Sequence, residues 1–322
     1  MKHNWKITFL LLFMFVLTQF IGLYVIDSHV FERTRVVNGV NETLTNPILT
    51  AFEPPPVQQA SDFSVYLVSI IFAFILAIVI LFLLTKFKVD IILRFWFFMV
   101  IAIALFITFN AIFTNYISSL YFIIPAVVVS LVLSFFKVFK RNFLIHNFTE
   151  LLIYPGIATL FVPILNLWSV LILLLIISAY DIWAVWHSGI MQKMAKYQIN
   201  NLKVFSGFFI PYIPKKLRMQ LKKLKKSKKA KDRKIKVNIA ILGGGDVIFP
   251  IITAGVVLTM KQPISLLPGF VGGLLPALFV IAGATLGLAL LFIFSEKKKF
   301  YPAMPFITAG ILLGIILSYF LL

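Results

Sequence analysis

The chain has 322 residues, 61% of them hydrophobic and only 13% charged, with a net charge of +19 and no cysteine. Apolar runs of about 20 residues recur along it, each long enough for a helix to cross roughly 30 Å of hydrocarbon, which leaves a polytopic helical membrane protein as the class that fits. Disulfides and thiolate metal sites are excluded.

Nine spans are predicted, at 5–26, 64–85, 91–114, 118–136, 147–165, 167–190, 235–259, 264–294 and 300–322. The first is apolar from Ile7 to Ile26, too long for a secretory signal core, and no small-residue cleavage site follows, so a retained anchor is expected. An outer loop at 27–63 carries Asp27, Glu32, Glu42, Glu53 and Asp62 and includes Pro54-Pro55-Pro56, a stiff extended element. Asn41-Glu42-Thr43 in this loop is a glycosylation sequon, usable only where the host has the machinery. On the fifth span, Glu150 is expected within snorkelling reach of the inner interface, with Lys140 or Arg141 as its partner.

The sixth span ends in Tyr180-Asp181, and the seventh contains Gly243-Gly244-Gly245-Asp246, followed by Pro250, which lacks the amide that would bond the Asp246 carbonyl. Pro268 and Pro276 in the eighth run imply a tilt, a kink or a start as loop. The ninth opens on Pro302-Ala303-Met304-Pro305, whose two prolines favour irregular or extended backbone at membrane depth. The chain thus divides into an amino-terminal membrane part (1–190), a basic loop (191–234) and a carboxyl-terminal membrane part (235–322).

With the amino terminus placed in the cytoplasm, every Lys and Arg except Arg33, Arg35 and Lys261 falls on the inner side, sixteen of them between Lys193 and Lys236. The positive-inside rule then puts the carboxyl terminus outside. In the basic loop, Leu217, Leu221 and Leu224 recur at helical spacing among lysines. This reads as a basic amphipathic helix on an anionic inner leaflet (215–236), with a solvated tether as the plainer reading. No aromatic residues interleave with those lysines, so nucleic acid is not an expected partner.

Only Asp181 and Asp246 remain deep once loop and interfacial acids are set aside. An ionisable side chain there costs several kcal/mol and marks a functional site by default. Asp181 precedes Lys193 by twelve residues and Asp246 follows Lys236 by ten, so continuous helices would set both at similar depth, about 18 and 15 Å from the inner anchors. Two neighbouring carboxyls share one proton, and that state suits peptide hydrolysis: the ionised member accepts a proton from water while the protonated member polarises the carbonyl. No metal or cofactor is expected, since His3, His29, His146 and His187 are scattered without a ligand cluster.

Tyr180-Asp181, Gly243-Gly244-Gly245-Asp246 and Pro302-Ala303-Met304-Pro305, in that order on spans six, seven and nine, resemble the presenilin and signal peptide peptidase family of GxGD intramembrane aspartyl proteases. Met304 stands where that family has leucine, a swap of similar volume. The resemblance implies nine spans, a catalytic pair Asp181 and Asp246, shaping by Tyr180, Gly243, Gly244 and Gly245, and support of site and substrate by Pro302, Ala303, Met304 and Pro305. The inside amino terminus is similar to the presenilin branch, most like an archaeal homologue, and implies transmembrane helix substrates whose amino terminus lies outside. Oligomeric state stays open. The alternative is an ion- or proton-coupled transporter using the buried aspartates, although no internal repeat supports it. Two other readings are weaker: a prepilin-peptidase type would not predict the motifs on spans six and nine, and a scaffold packed through Gly269, Gly273, Gly283 and Gly287 leaves two buried acids unexplained.

Overall fold

The computed structural model describes residues 5–28, 31–37, 40–45, 49–86, 90–114, 123–140, 142–188, 205–212, 238–260, 270–295 and 301–322. Nine α-helices occur among them: α1 (Trp5–Asp27), α2 (Ala60–Lys86), α3 (Asp90–Thr114), α4 (Ile123–Phe139), α5 (Phe143–Phe161), α6 (Leu167–Trp183), α7 (Gly244–Thr259), α8 (Leu274–Phe294) and α9 (Met304–Leu321). Seven are long and apolar enough to cross a membrane, whereas α4 and α7 have only 17 and 16 residues. Two antiparallel strand pairs accompany them, β1 (Glu32–Val37) with β2 (Val40–Thr45) and β3 (Gly207–Tyr212) with β4 (Asn238–Gly243).

One expectation changes, and two segments take definite form. The seventh span is not one helix: its first part is β4, and α7 starts only at Gly244. At 1.5 Å per residue α7 is about 24 Å long, short of a full crossing. The eighth helix begins at Leu274, after non-helical residues 270–273. The outer segment folds partly as the β1–β2 hairpin, with Asn41 opposite Val36. The proposed amphipathic helix of the basic loop lies outside the described residues.

α1, α5 and α7 pack on one another, α8 covers α7 and α1, and α9 joins α8 to α6. One buried cluster unites Leu11 and Phe15 of α1, Phe208 of β3, Ile251 of α7, Leu288 of α8 and Ile307 of α9. Elements before and after the basic loop therefore share one core. A second cluster, with Leu105, Ile107, Ala126 and Ile153, joins α3 and α4 to α5. Outward faces stay apolar, as at Phe72, Ile75, Leu175, Leu286 and Leu313, which are exposed. Helices hydrophobic on every side are those of a membrane span.

The α5 and α6 starts are capped by Asn142, accepting from the Leu144 and Ile145 amides, and by Asn166, accepting from the Ser169 amide. Glu150 is buried and pairs with Lys137 of α4, itself buried, rather than with Lys140; Arg141 lies outside the described residues. Lys140 instead stands over the Phe136 ring.

α8 and α9 approach most closely through Gly283, Gly287, Gly310 and Gly314: a Cβ on any of them would meet backbone of the facing helix. Gly310→Leu is expected to destabilise the fold by about 1–3 kcal/mol through overpacking, read as a lower denaturation midpoint in mixed detergent. An unchanged midpoint would mean that the two helices are free to separate.

Candidate active site

Asp181 lies in the last turn of α6, which passes into a π-helical turn at Ala184–Ser188. Its carboxylate is buried and accepts from the Met304 amide at 3.0 Å, with the Ala303 amide also donating. Ala303 is the N-cap of α9 and has no side-chain cap of its own. The first amides of a helix have no internal partner and carry its positive end. Asp181 therefore caps α9 from another helix. One turn further, the Ser178 and Thr308 hydroxyls bond at 2.8 Å and hold the same two helices together.

This revises the expectation for Pro302-Ala303-Met304-Pro305. The backbone is helical from Met304, and Ala303 itself has helical angles, φ −87° and ψ −35°. Pro305, in the first turn, fits there because its missing amide would have been an orphan.

Asp246 occupies the third position of α7, whose N-cap is Gly243. The carboxylate accepts from the Gly243 amide, the reach-back half of a capping box. A Cβ on Gly243 would sit 3.2 Å from its Oδ2. Gly244 is wedged against the Ser206 and Tyr154 hydroxyls, whereas Gly245 is exposed with nothing closer to a Cβ than Phe249 at 3.9 Å. Of the three glycines, Gly244 is the one whose surroundings demand a missing side chain. Pro250 lies inside α7 one turn on.

Asp181 and Asp246 thus stand at the C-terminal end of α6 and the N-terminal end of α7. These helices pack together, and the two carboxyls are close enough to interact electrostatically. Asp246 is partly exposed and Asp181 buried. Tyr180 turns the other way. Its ring meets Phe74 of α2 edge-on at 6.0 Å and lines an apolar groove of about 260 Å³ with Ile71, Leu173 and Ile177.

Several residues near the site carry no local signature strong enough for sequence reasoning to select them. Gln19, fully buried in α1, donates to the Val247 carbonyl at 3.1 Å, next to Asp246. His146 and Asn147 of α5 hold the backbone of β3. A lone polar residue in an apolar run was the available signal for Gln19; the partners of His146 and Asn147 have no trace in local sequence.

A family model described as signal-peptide peptidase, presenilin aspartyl protease matches residues 40–322. No curated protein matches the sequence. Among solved structures, a presenilin family intramembrane aspartate protease crystallised in space group C222 is 16% identical, with a TM-score of 0.60 over 98% of this chain and 99% of that one. A presenilin family intramembrane aspartate protease in space group P2 is also 16% identical, with a TM-score of 0.55 over 97% of each chain. At this identity the likeness is one of fold.

Proposed function

The chain belongs to the signal-peptide peptidase and presenilin aspartyl protease family, and from that premise we propose that Asp181 and Asp246 are its catalytic pair. It is a multi-pass integral membrane protein and an intramembrane aspartic endopeptidase, in a family consistent with transmembrane helix substrates. The transporter alternative is not favoured. The observation that carries the dyad is the meeting of the α6 end, the α7 start and the α9 start around two interacting carboxyls.

Hydrolysis follows from that arrangement. Water adds to the scissile carbonyl carbon, passing a proton to the ionised carboxyl, while the protonated carboxyl donates to the carbonyl oxygen. The C–N bond then breaks as a proton passes to the leaving amine. The Met304 and Ala303 amides on Asp181 suit it to the ionised role, because donors to a carboxylate are the stronger kind of hydrogen bond. Gly243 and Gly244 shape the site in this reading, Tyr180 lines the groove beside it and Gly245 stays exposed, and Pro302, Ala303, Met304 and Pro305 support the site by starting α9 under Asp181.

A peptide bond inside a helix is shielded by its own turns, so the substrate has to be drawn out as a strand. Strand β4 runs directly into Asp246, and no described strand pairs with its side away from β3. Partly exposed Ile241 stands on β4, and edge pairing would deliver an extended segment to the dyad.

The charge distribution supports a cytoplasmic amino terminus in the cell membrane, the basic loop on anionic lipid, and substrates with the amino terminus outside. Coexpression with single-span reporters of both orientations tests this. Cleavage is expected only for the reporter whose amino terminus is outside; cleavage only of the reverse reporter would overturn the orientation, and cleavage of neither would count against the dyad.

A further inference from the structure

In the β3–β4 pair, Phe209 lies opposite Ile241, Phe208 opposite Leu242 and Gly207 opposite Gly243. Residues of an antiparallel strand alternate between turning their backbone groups toward the partner strand and turning them away. Phe209 turns its groups away, because both are taken by a side chain of α5. The Asn147 Nδ2 donates to the Phe209 carbonyl at 2.9 Å, and the Phe209 amide donates to Asn147 Oδ1 at 3.1 Å. An amide side chain used in this way reproduces the donor and acceptor of one residue in a neighbouring strand.

The pattern continues on either side. Gly207, two residues earlier, gives its carbonyl to the His146 Nε2–H at 2.8 Å. Pro211, two residues later, has no amide to offer. Gly207 is also held at φ +138°, a conformation open to glycine. The His146 ring lies 4.5 Å from the Phe209 ring, so the clamp is packed as well as hydrogen-bonded.

We infer that Asn147 is a positioning residue: with His146 it acts as a third strand on the outer edge of β3, fixing the register of the sheet and leaving β4 as its open edge beside Asp246. The inference rests on the assignment of Asp181 and Asp246 as the dyad and adds to it the element that decides which substrate bond reaches them. A two-stranded sheet with both edges free can slip or recruit the substrate on the wrong edge. Fixed by α5, the sheet stands ready before substrate arrives. A slip of β4 along β3 would carry its junction with α7, and hence Asp246, along the substrate.

The test is the mass spectrum of products from one single-span substrate, cut by purified full-length protein in detergent. Asn147→Leu keeps the branching and the number of side-chain heavy atoms and removes both bonds; Asn147→Asp keeps the acceptor for the Phe209 amide and removes the donor. Wild type is expected to cut at one dominant bond. Asn147→Leu is expected to spread cleavage over neighbouring bonds with kcat lowered about 10-fold, on the scale of one or two lost hydrogen bonds, and Asn147→Asp to fall between. A single unshifted product with unchanged kcat in Asn147→Leu would overturn the inference. So would loss of the folded state in both variants, because a positioning residue is dispensable for folding. Asp246→Ala, run beside them, separates the two ideas: continued cleavage there refutes the dyad, whereas silence there with an unshifted Asn147→Leu product refutes only the clamp.

Discussion

Asp181→Asn and Asp246→Asn are each expected to abolish cleavage, by on the order of 10⁴-fold, the upper range for removing a general acid or base. Asparagine is the informative replacement because both aspartates also cap helices. Asp181 accepts from the Met304 amide at the start of α9, and Asp246 from the Gly243 amide at the start of α7. An asparagine oxygen can still accept from those amides, so the caps survive while proton transfer is lost. The alanine variants are expected to lose about 1 kcal/mol of stability in addition. In the proposed dyad the two carboxyls act as a unit, so the double asparagine variant should be no less active than either single one. A time course of substrate cleavage with matched denaturation midpoints checks all of this, and turnover in either asparagine variant would remove that residue from the chemistry.

Lys137→Met is expected to give the largest loss of stability, about 3–5 kcal/mol, the scale for stranding one member of a buried ion pair. Lys137 and Glu150 are both almost fully buried where α4 meets α5. Glu150 sits in the middle of α5 on a short side chain, and once Lys137 is removed the ion-pairing neighbour left to it is the His146 imidazole, 3.6 Å away. Lys137 lies in the last turn of α4, and its long chain can turn toward the interface when Glu150 is removed. Glu150→Leu should therefore cost less than Lys137→Met, and the double variant less than Lys137→Met alone. The comparison is read from denaturation midpoints in detergent. Equal losses in both single variants would show that Lys137 cannot escape, and a double variant as unstable as Lys137→Met would show that the pair is not the source of the cost.

The two aspartates were legible because a membrane makes them costly, and a costly residue is conspicuous against apolar neighbours. The helical register used to place them was less secure. For Asp181 the α-helix runs only to Trp183 before a π-helical turn, and Lys193, from which its depth was counted, lies outside the described residues. Before Asp246 it failed, since Asn238–Gly243 is a strand and the depth estimated for a continuous helix no longer applies. A short apolar run looks the same as either element when both faces are buried. What decides is a partner, and β3 lies beyond a long basic segment. The partner of Glu150 was misread for a related reason: Lys137 counts as an interfacial cation until the packing of α4 on α5 shows it buried.

Sequence alone settled the properties that depend on composition and local pattern: the membrane class, the recurrence of apolar runs, the two acids set within such runs and the motifs that resemble one protease family. Tertiary structure decided whatever depends on a distant partner. Asp181 finds the start of α9 across 123 residues, and Gln19 finds Val247 across 228. An unpaired backbone group away from water has to be satisfied by something, but its own sequence does not say by what. Only the folded chain brings an aspartate to an uncapped helix, and an asparagine to the edge of a strand.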